Sequence, residues 1–286
     1  MGKVDLHMHS VHSDGGNTPK EILDIAREKG LSTIALTDHD TILGSKELME
    51  LNKLGIRVYS GVELTAKVPK GRMHILGYNI NLDDLRLNKC LEEIHNASIH
   101  NLLLYIELLK RDFGIVFPDE EIQKLVKAKN NVGRPQLALL MIKMGICSSV
   151  DEAFDKYLRS VYEKVRKVKK GLTKEEAIDL ITASGGVASL AHPGSLLLTR
   201  EELFKEVSYL KSVGLGAIEV FHSNNPNLER EYYHELALYF NLLETGGTDF
   251  HGYKVKPDIE LGSGRNGNVD IDDKKLSLIL KVKSRY

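Results

Sequence analysis

Short apolar runs alternate with amphipathic stretches along most of the chain, a pattern that predicts βα units packed as a parallel sheet. Val4-Asp5-Leu6-His7 reads as a first strand. Thr18 and Pro19 then open a helix, the hydroxyl capping free amides and the ring fitting the first turn. Its apolar face is Ile22, Leu23, Ile25 and Ala26, and Gly30 ends it. Further strands are predicted at Ser32–Thr37, Arg57–Leu64 and His74–Tyr78. From about residue 82 to 170 strand signals fade and charged helical text takes over, as in Leu102–Asp112 and Asp151–Lys170. The βα rhythm resumes near 172 with two S/T-x-x-E helix starts, Thr173 with Glu176 and Thr199 with Glu202. Strands are then expected at Gly186–Ala191, Ala217–Phe221 and Leu242–Glu244. This divides the chain into an α/β barrel domain, 1–81 with 171–286, and an inserted helical cap subdomain, 82–170.

Composition narrows the classes. A 286-residue chain with 42% hydrophobic residues builds a sizeable core and is far from the disordered range. A formal net charge of -1 excludes bulk binding to duplex nucleic acid, which needs a basic face, yet leaves room for a nucleotide or short oligonucleotide whose charge a metal offsets locally. Cys90 and Cys147 are the only cysteines and form no C-x-x-C pair, so neither a thiolate metal site nor a disulfide framework is expected. No signal-peptide pattern and no run of ~20 apolar residues occurs, and a cytoplasmic location without a membrane partner is the expectation.

Chemistry-bearing residues collect where the strands end. His7 and His9 flank Met8 past the first strand, with Asp14 in the loop beyond; Asp38-His39-Asp40 follows the second, and Glu63 ends the next. His192 follows Ala191, and Asp249 and His251 lie past the last strand. In a βα barrel the C-terminal strand ends share one face, where catalytic groups gather. His74, at the start of a strand, fits that rule least. Imidazole with carboxylate and no thiolate suits Zn²⁺, Mn²⁺ or Fe²⁺. In extended backbone, His7-x-His9 and Asp249-x-His251 each aim both side chains to one side. His12, His95, His100 and His234 stand apart from this pattern and read as ordinary hydrogen-bonded residues.

Asp5-Leu6-His7-Met8-His9-Ser10 with Asp14, Thr37-Asp38-His39-Asp40, Gly61-Val62-Glu63, Ala191-His192-Pro193-Gly194 and Gly247-Thr248-Asp249-Phe250-His251 resemble, in order, the motifs of the PHP (polymerase and histidinol phosphatase) family. The resemblance implies a distorted seven-stranded TIM-like βα barrel and a site for two or three divalent metals. One ion would be held by His7, His9, Glu63 and Asp249, a second by Asp14, His39 and His251, and a third by Glu63, His74 and His192, with Glu63 bridging. Asp5 would orient a ligand histidine through its free ring N–H, and Asp38 and Asp40 would orient His39 or help a proton move. Hydroxide held between such ions attacks a phosphoester at neutral pH, because coordination lowers the pKa of water toward ~7.

Within the family, the helical insertion and Asn131-Val132-Gly133-Arg134-Pro135 resemble the branch of nucleoside 3′,5′-bisphosphate phosphatases and 5′-to-3′ exonucleases on short RNA. Arg134 would bind the substrate's second phosphate through its two-pronged guanidinium, and His222, which ends a strand, would contact phosphate or pack beside the ligands. Two alternatives stand beside this reading. One is histidinol-phosphate phosphatase. The other is a non-catalytic binding module, disfavoured because every ligand position is filled.

Overall fold

The computed structural model of the protein describes residues 2–53, 55–128, 132–166 and 171–272. It separates into two compact units, Met1–Asn88 with Leu172–Tyr286, and Lys89–Gly171.

Eight strands of the first unit form two sheets. β1 (Lys3–Asp5), β2 (Leu31–Ala35) and β3 (Arg57–Tyr59) make a parallel three-stranded sheet. β4 (Gly61–Ala66), β5 (Met73–Tyr78), β6 (Val187–Leu190), β7 (Ala217–His222) and β8 (Leu243–Gly247) make a five-stranded sheet in chain order. Backbone bonds join the sheets at both seams. Leu6 donates to Gly246 O at 3.2 Å and His9 to Phe250 O at 2.8 Å on one side. On the other, Glu63 donates to Asp38 O at 3.1 Å and Asp40 to Glu63 O at 2.8 Å. Gly247 is needed at the first seam, since a Cβ there would lie 2.3 Å from the His7 amide nitrogen.

Two strand expectations are corrected. The run Arg57–Leu64 is broken at Ser60 into β3 and β4, which belong to different sheets, so Glu63 sits in the middle of a strand and does not end one. The second sheet is mixed, because β5 pairs antiparallel with both β4 and β6. Only Lys67–Arg72 separates β4 from β5, too few residues for the crossover that parallel neighbours require. The reversal also accounts for His74. In an antiparallel strand the N-terminal end lies level with its neighbour's C-terminal end, and His74 pairs with Thr65 near the end of β4.

Helices cover these strands where their caps predict. In α1 (Pro19–Glu28) the Thr18 hydroxyl accepts from the Glu21 amide and the Glu21 carboxylate accepts from the Thr18 amide. The same reciprocal box opens α8 (Lys174–Ala183) at Thr173 and α9 (Arg200–Ser212) at Thr199, and α2 (Leu43–Leu51) and α10 (Asn227–Tyr239) complete the set. Met8, Ile22, Leu23, Ile34, Leu48 and Phe250 fill one apolar layer. Because side chains alternate along extended backbone, the burial of Met8 in that layer turns His7 and His9 the opposite way.

The second unit holds most of the 29-residue α3 (Leu85–Phe113), α4 (Asp119–Val126) and α5 (Arg134–Lys143). α6 (Val150–Ala153) runs through a π turn at Phe154–Leu158 into α7 (Arg159–Arg166). Its own core takes Leu102, Tyr105 and Leu109 from one face of α3, with Phe117, Leu137, Met141, Leu158 and Val161. Asn131 and Lys167–Lys170, parts of two sequence signals above, lie outside the described residues. Among the described residues no helix is long and apolar enough to cross a membrane.

Candidate metal centre

Nine predicted ligands meet at the seams of the first unit. Glu63 is at the centre and has no solvent exposure. Its Oε2 lies 3.3 Å from His7 Nε2, 3.2 Å from His9 Nε2 and 3.2 Å from His39 Nδ1. Its Oε1 lies 2.9 Å from His74 Nδ1 and 3.0 Å from His192 Nε2. Asp249 Oδ1 is 3.1 Å from His9 Nε2 and 3.5 Å from His7 Nε2. Asp14 is 3.3 Å from His251 Nε2 and 3.8 Å from His39 Nε2. The ligand atoms of His9, Asp14, His39 and His251 all lie within 4.8 Å of one another, as do those of His7, His222 and Asp249, of His7, His9 and Glu63, and of His39, Glu63 and His74. These groups overlap and share His9 and His39 more widely than the three ligand sets implied by the resemblance.

The hydrogen bonds around three histidines fix which nitrogen faces inward. Glu219, fully buried on β7, accepts from His7 Nδ1 at 2.8 Å. His251 Nδ1 donates to the Asp249 carbonyl at 2.8 Å. His192 Nδ1 lies 2.9 Å from the Ser195 hydroxyl, which itself donates to the Arg72 carbonyl at 2.8 Å and so accepts from the ring. In each neutral ring Nε2 is left with a lone pair, and each lone pair points at a carboxylate oxygen 3.0–3.5 Å away. Acceptors facing acceptors at that distance repel unless a cation lies between them. Metal bonds of about 2.0–2.2 Å place neighbouring ligand atoms about 3–3.5 Å apart, which is the spacing found. His9, fully buried, has no hydrogen bond at either ring nitrogen, although such groups are nearly always satisfied in folded proteins. The residues present therefore fit divalent metal ions.

Charge follows the same plan. Burial opposes ionisation of Glu63, yet His39, His7 and His74 hold its carboxyl well below the ordinary range. Burial likewise opposes ionisation of Asp14 and Asp249, but His251 and His39 lower the first, and Lys256 and His251 the second. Burial disfavours a charged His7 ring, but with no cation in the site Glu219 and Glu63 raise its pKa well above the usual value. His74 is pushed down to about 4, by burial first, and keeps a free lone pair at neutral pH. His192 at φ 26° and Asp249 at φ 57° hold left-handed backbone, the kind of strain that gathers at working sites.

The remaining predicted residues divide. His222, 2% exposed at the end of β7, accepts the Asn224 amide at Nδ1, 3.1 Å away. Its neutral ring therefore carries the proton on Nε2, which lies 3.6 Å from Asp249 Oδ2 without a hydrogen bond. His222 thus presents an N–H and not a lone pair. Asp5 does not orient a histidine ring. Its carboxylate accepts from the Thr248 amide and hydroxyl, the Gly262 amide and the His7 amide, and ties the β1–β8 seam. Glu219 has the orienting role expected of Asp5. Asp38 accepts from the Ser10 amide and from the hydroxyls of Ser10 and Ser13, and so shapes the loop that carries Asp14; Asp40 accepts from the Thr65 amide. Arg134 starts α5 in the second unit, its guanidinium 3.9 Å from the Tyr162 ring centre. Two residues escaped sequence reasoning. Glu219 had a signal, a lone acid inside the apolar run Ile218–Phe221, whereas Lys256, whose Nζ donates to Asp249 Oδ2 at 2.8 Å, had none.

With this geometry established, comparison with known proteins defines the class. The PHP domain family model matches residues 5–230, so the chain belongs to the PHP family. It is 32% identical over 262 residues to the 5′-3′ exoribonuclease Rnm of Escherichia coli, covering 90% of this chain and 87% of that one. It is 30% identical over 258 residues to the phosphoribosyl 1,2-cyclic phosphate 1,2-diphosphodiesterase of Eggerthella lenta, covering 87% and 94%. A 3′,5′-nucleoside bisphosphate phosphatase of Chromobacterium violaceum is 27% identical over 256 residues, covering 88% of each chain. A Bifidobacterium adolescentis crystal structure, of a protein proposed to be a metal-dependent phosphoesterase, superposes with a TM-score of 0.79 at 27% identity, covering 98% and 96%. These relatives are phosphoric ester hydrolases.

Proposed function

We propose that the protein is a metal-dependent phosphoesterase acting on nucleoside 3′,5′-bisphosphates or short 5′-phosphorylated oligoribonucleotides. The observation that carries this reading is the set of imidazole lone pairs aimed at carboxylate oxygens 3.0–3.5 Å away. We assign the ligands as His7, His9, Glu63 and Asp249 for one ion, Asp14, His39 and His251 for a second, and Glu63, His74 and His192 for a third. When bound, divalent ions of the Mn²⁺, Fe²⁺ or Zn²⁺ group supply an activated water and neutralise phosphoryl charge. Glu219 holds the His7 ring and the His192 amide, the latter at 2.6 Å, and so aligns two ligands at once. His222 donates its Nε2–H to a phosphoryl oxygen. Arg134 is our candidate phosphate-binding residue of the second unit, its guanidinium carbon 3.9 Å from the Tyr162 ring centre. We read the two hydrogen-bonded sheets as the distorted TIM-like PHP barrel, formed by 1–81 and 171–286, with 82–170 as an inserted cap.

The test is phosphate release from adenosine 3′,5′-bisphosphate with added Mn²⁺, in wild type and Arg134→Ala. Turnover that collapses in the variant supports the reading. Turnover of histidinol phosphate alone, or of a ribosyl cyclic phosphate alone, replaces it.

A further inference from the structure

The connection between β4 and β5, Lys67-Val68-Pro69-Lys70-Gly71-Arg72, carries three cations in six residues. All three are exposed. The same two strands carry Glu63 and His74 to the metal centre, so the hairpin is the direct outward extension of the site's rim. Thr65 pairs with His74 and Ala66 with Met73, which leaves Lys67 and Arg72 as the first residues beyond the ladder.

The hairpin is anchored. The Lys67 amide donates to Leu172 O at 2.8 Å, and the Arg72 amide to Ser195 O at 2.9 Å. Arg72 O accepts from the Ser195 hydroxyl, the group that holds the His192 ring. Gly71, at φ 67°, packs so closely on this turn that a Cβ would sit 2.4 Å from Leu196 O. These bonds use main-chain atoms. Lys70 lies near enough to Glu202 to help hold that carboxyl below its ordinary range, and among the described residues no ion pair engages the side chains of Lys67 or Arg72. In a chain of net charge -1, three cations are thus concentrated on an anchored backbone that continues the two strands carrying Glu63 and His74.

We infer that this hairpin is a track for the phosphodiester backbone of a single-stranded oligonucleotide whose terminal ester lies in the metal centre. The inference rests on the phosphoesterase reading and extends it, selecting oligonucleotide over mononucleotide as the substrate that uses the whole surface. Spaced cations on an ordered backbone suit a flexible single strand, and three are too few to hold a duplex.

The experiment compares wild type with the triple variant Lys67→Gln, Lys70→Gln, Arg72→Gln. Binding of a fluorescent, 5′-phosphorylated five-nucleotide RNA is measured by anisotropy against salt in chelator, and RNA and adenosine 3′,5′-bisphosphate turnover are measured with Mn²⁺. Melting temperature reports folding. The expected result is RNA binding about tenfold weaker, with the log–log salt slope reduced by about 2, as lost single-strand phosphate contacts dictate. KM for RNA rises while bisphosphate turnover changes less than about twofold. Unchanged RNA binding and slope overturn the track and leave the phosphoesterase reading intact. Slope loss with neither substrate hydrolysed shows that the hairpin binds RNA and overturns the placement of its terminal ester in the metal centre.

Discussion

Asp249 divides its surroundings into two regions of opposite polarity. Its Oδ1 faces the bare nitrogens of His7 and His9, and its Oδ2 faces the Lys256 ammonium and the His222 N–H. One region is a pocket of lone pairs and requires a cation. The other is a corner of donors and suits an anion. Both are built from histidines on strand ends, and residue type alone does not separate them. What separates His7 from His222 is the partner on the far ring nitrogen: Glu219 accepts a proton from the His7 ring, whereas the Asn224 amide gives one to His222.

The largest effect expected to break this comparison is at Glu63, whose two oxygens face five histidines. Glu63→Ala removes the shared anion, and bound metal by elemental analysis should fall toward zero, with activity down roughly a thousandfold. Full metal retention would remove Glu63 from the centre of the site. Glu219 comes next. One of its oxygens takes the His7 N–H and the other the His192 amide, so both must accept. Glu219→Gln cannot satisfy both in either amide orientation, and metal affinity should weaken about 10–100-fold by titration calorimetry, as for orienting groups generally. If Glu219→Gln binds metal like wild type, the ring orientation is set by something else.

Proton and metal should oppose one another. A raised His7 pKa stabilises the metal-free fold below the unfolded imidazole value of about 6.5, and that stabilisation is lost as pH rises through the higher folded value. Depressed Glu63, Asp14 and Asp249 act in the reverse sense, stabilising above about 4 and failing as pH falls through their lowered values. From the His7 contribution, the metal-free melting temperature should decline as pH rises above neutrality. The Mn²⁺-loaded protein should gain stability relative to it over the same range, because ligands must shed protons to bind. Parallel curves for the two forms would contradict a proton and a metal sharing one place.

Much of this was legible along the chain. Period-two alternation aimed His7 and His9 together, and two T-x-x-E boxes and the Thr18-Pro19 start marked helix beginnings that the structure retains, the Thr18 cap proving to be a third box with Glu21. The rest depended on contacts far apart in sequence. Glu219 lies 212 residues from His7, and its role exists only because β7 and β1 approach the same centre. Asp5 sits next to the ligands in sequence but turns toward Thr248 and Gly262, since two seam amides and a hydroxyl compete for its oxygens. The β5 reversal was written in the short Pro69-Lys70-Gly71 turn, but the surrounding βα rhythm outweighed it.

The donor corner gives the smaller effects. His222→Asn removes the buried N–H without touching a lone pair directed at metal, so metal content should hold while KM for the bisphosphate rises about tenfold, the cost of one hydrogen bond to a charged group. Lys256→Met is smaller still. Lys256 is one-third exposed, and exposed pairs contribute about 0–1 kcal/mol, so a change of up to about fivefold in KM is expected, with kcat unchanged. The sign for metal is informative. Lys256 neutralises Asp249 in the metal-free protein and so competes with an incoming ion, and its loss should leave metal affinity equal or slightly tighter. A fall to the level of Glu219→Gln would mean that Lys256 is a strut holding Asp249 in its left-handed backbone, and the corner would then belong to the metal side of the comparison.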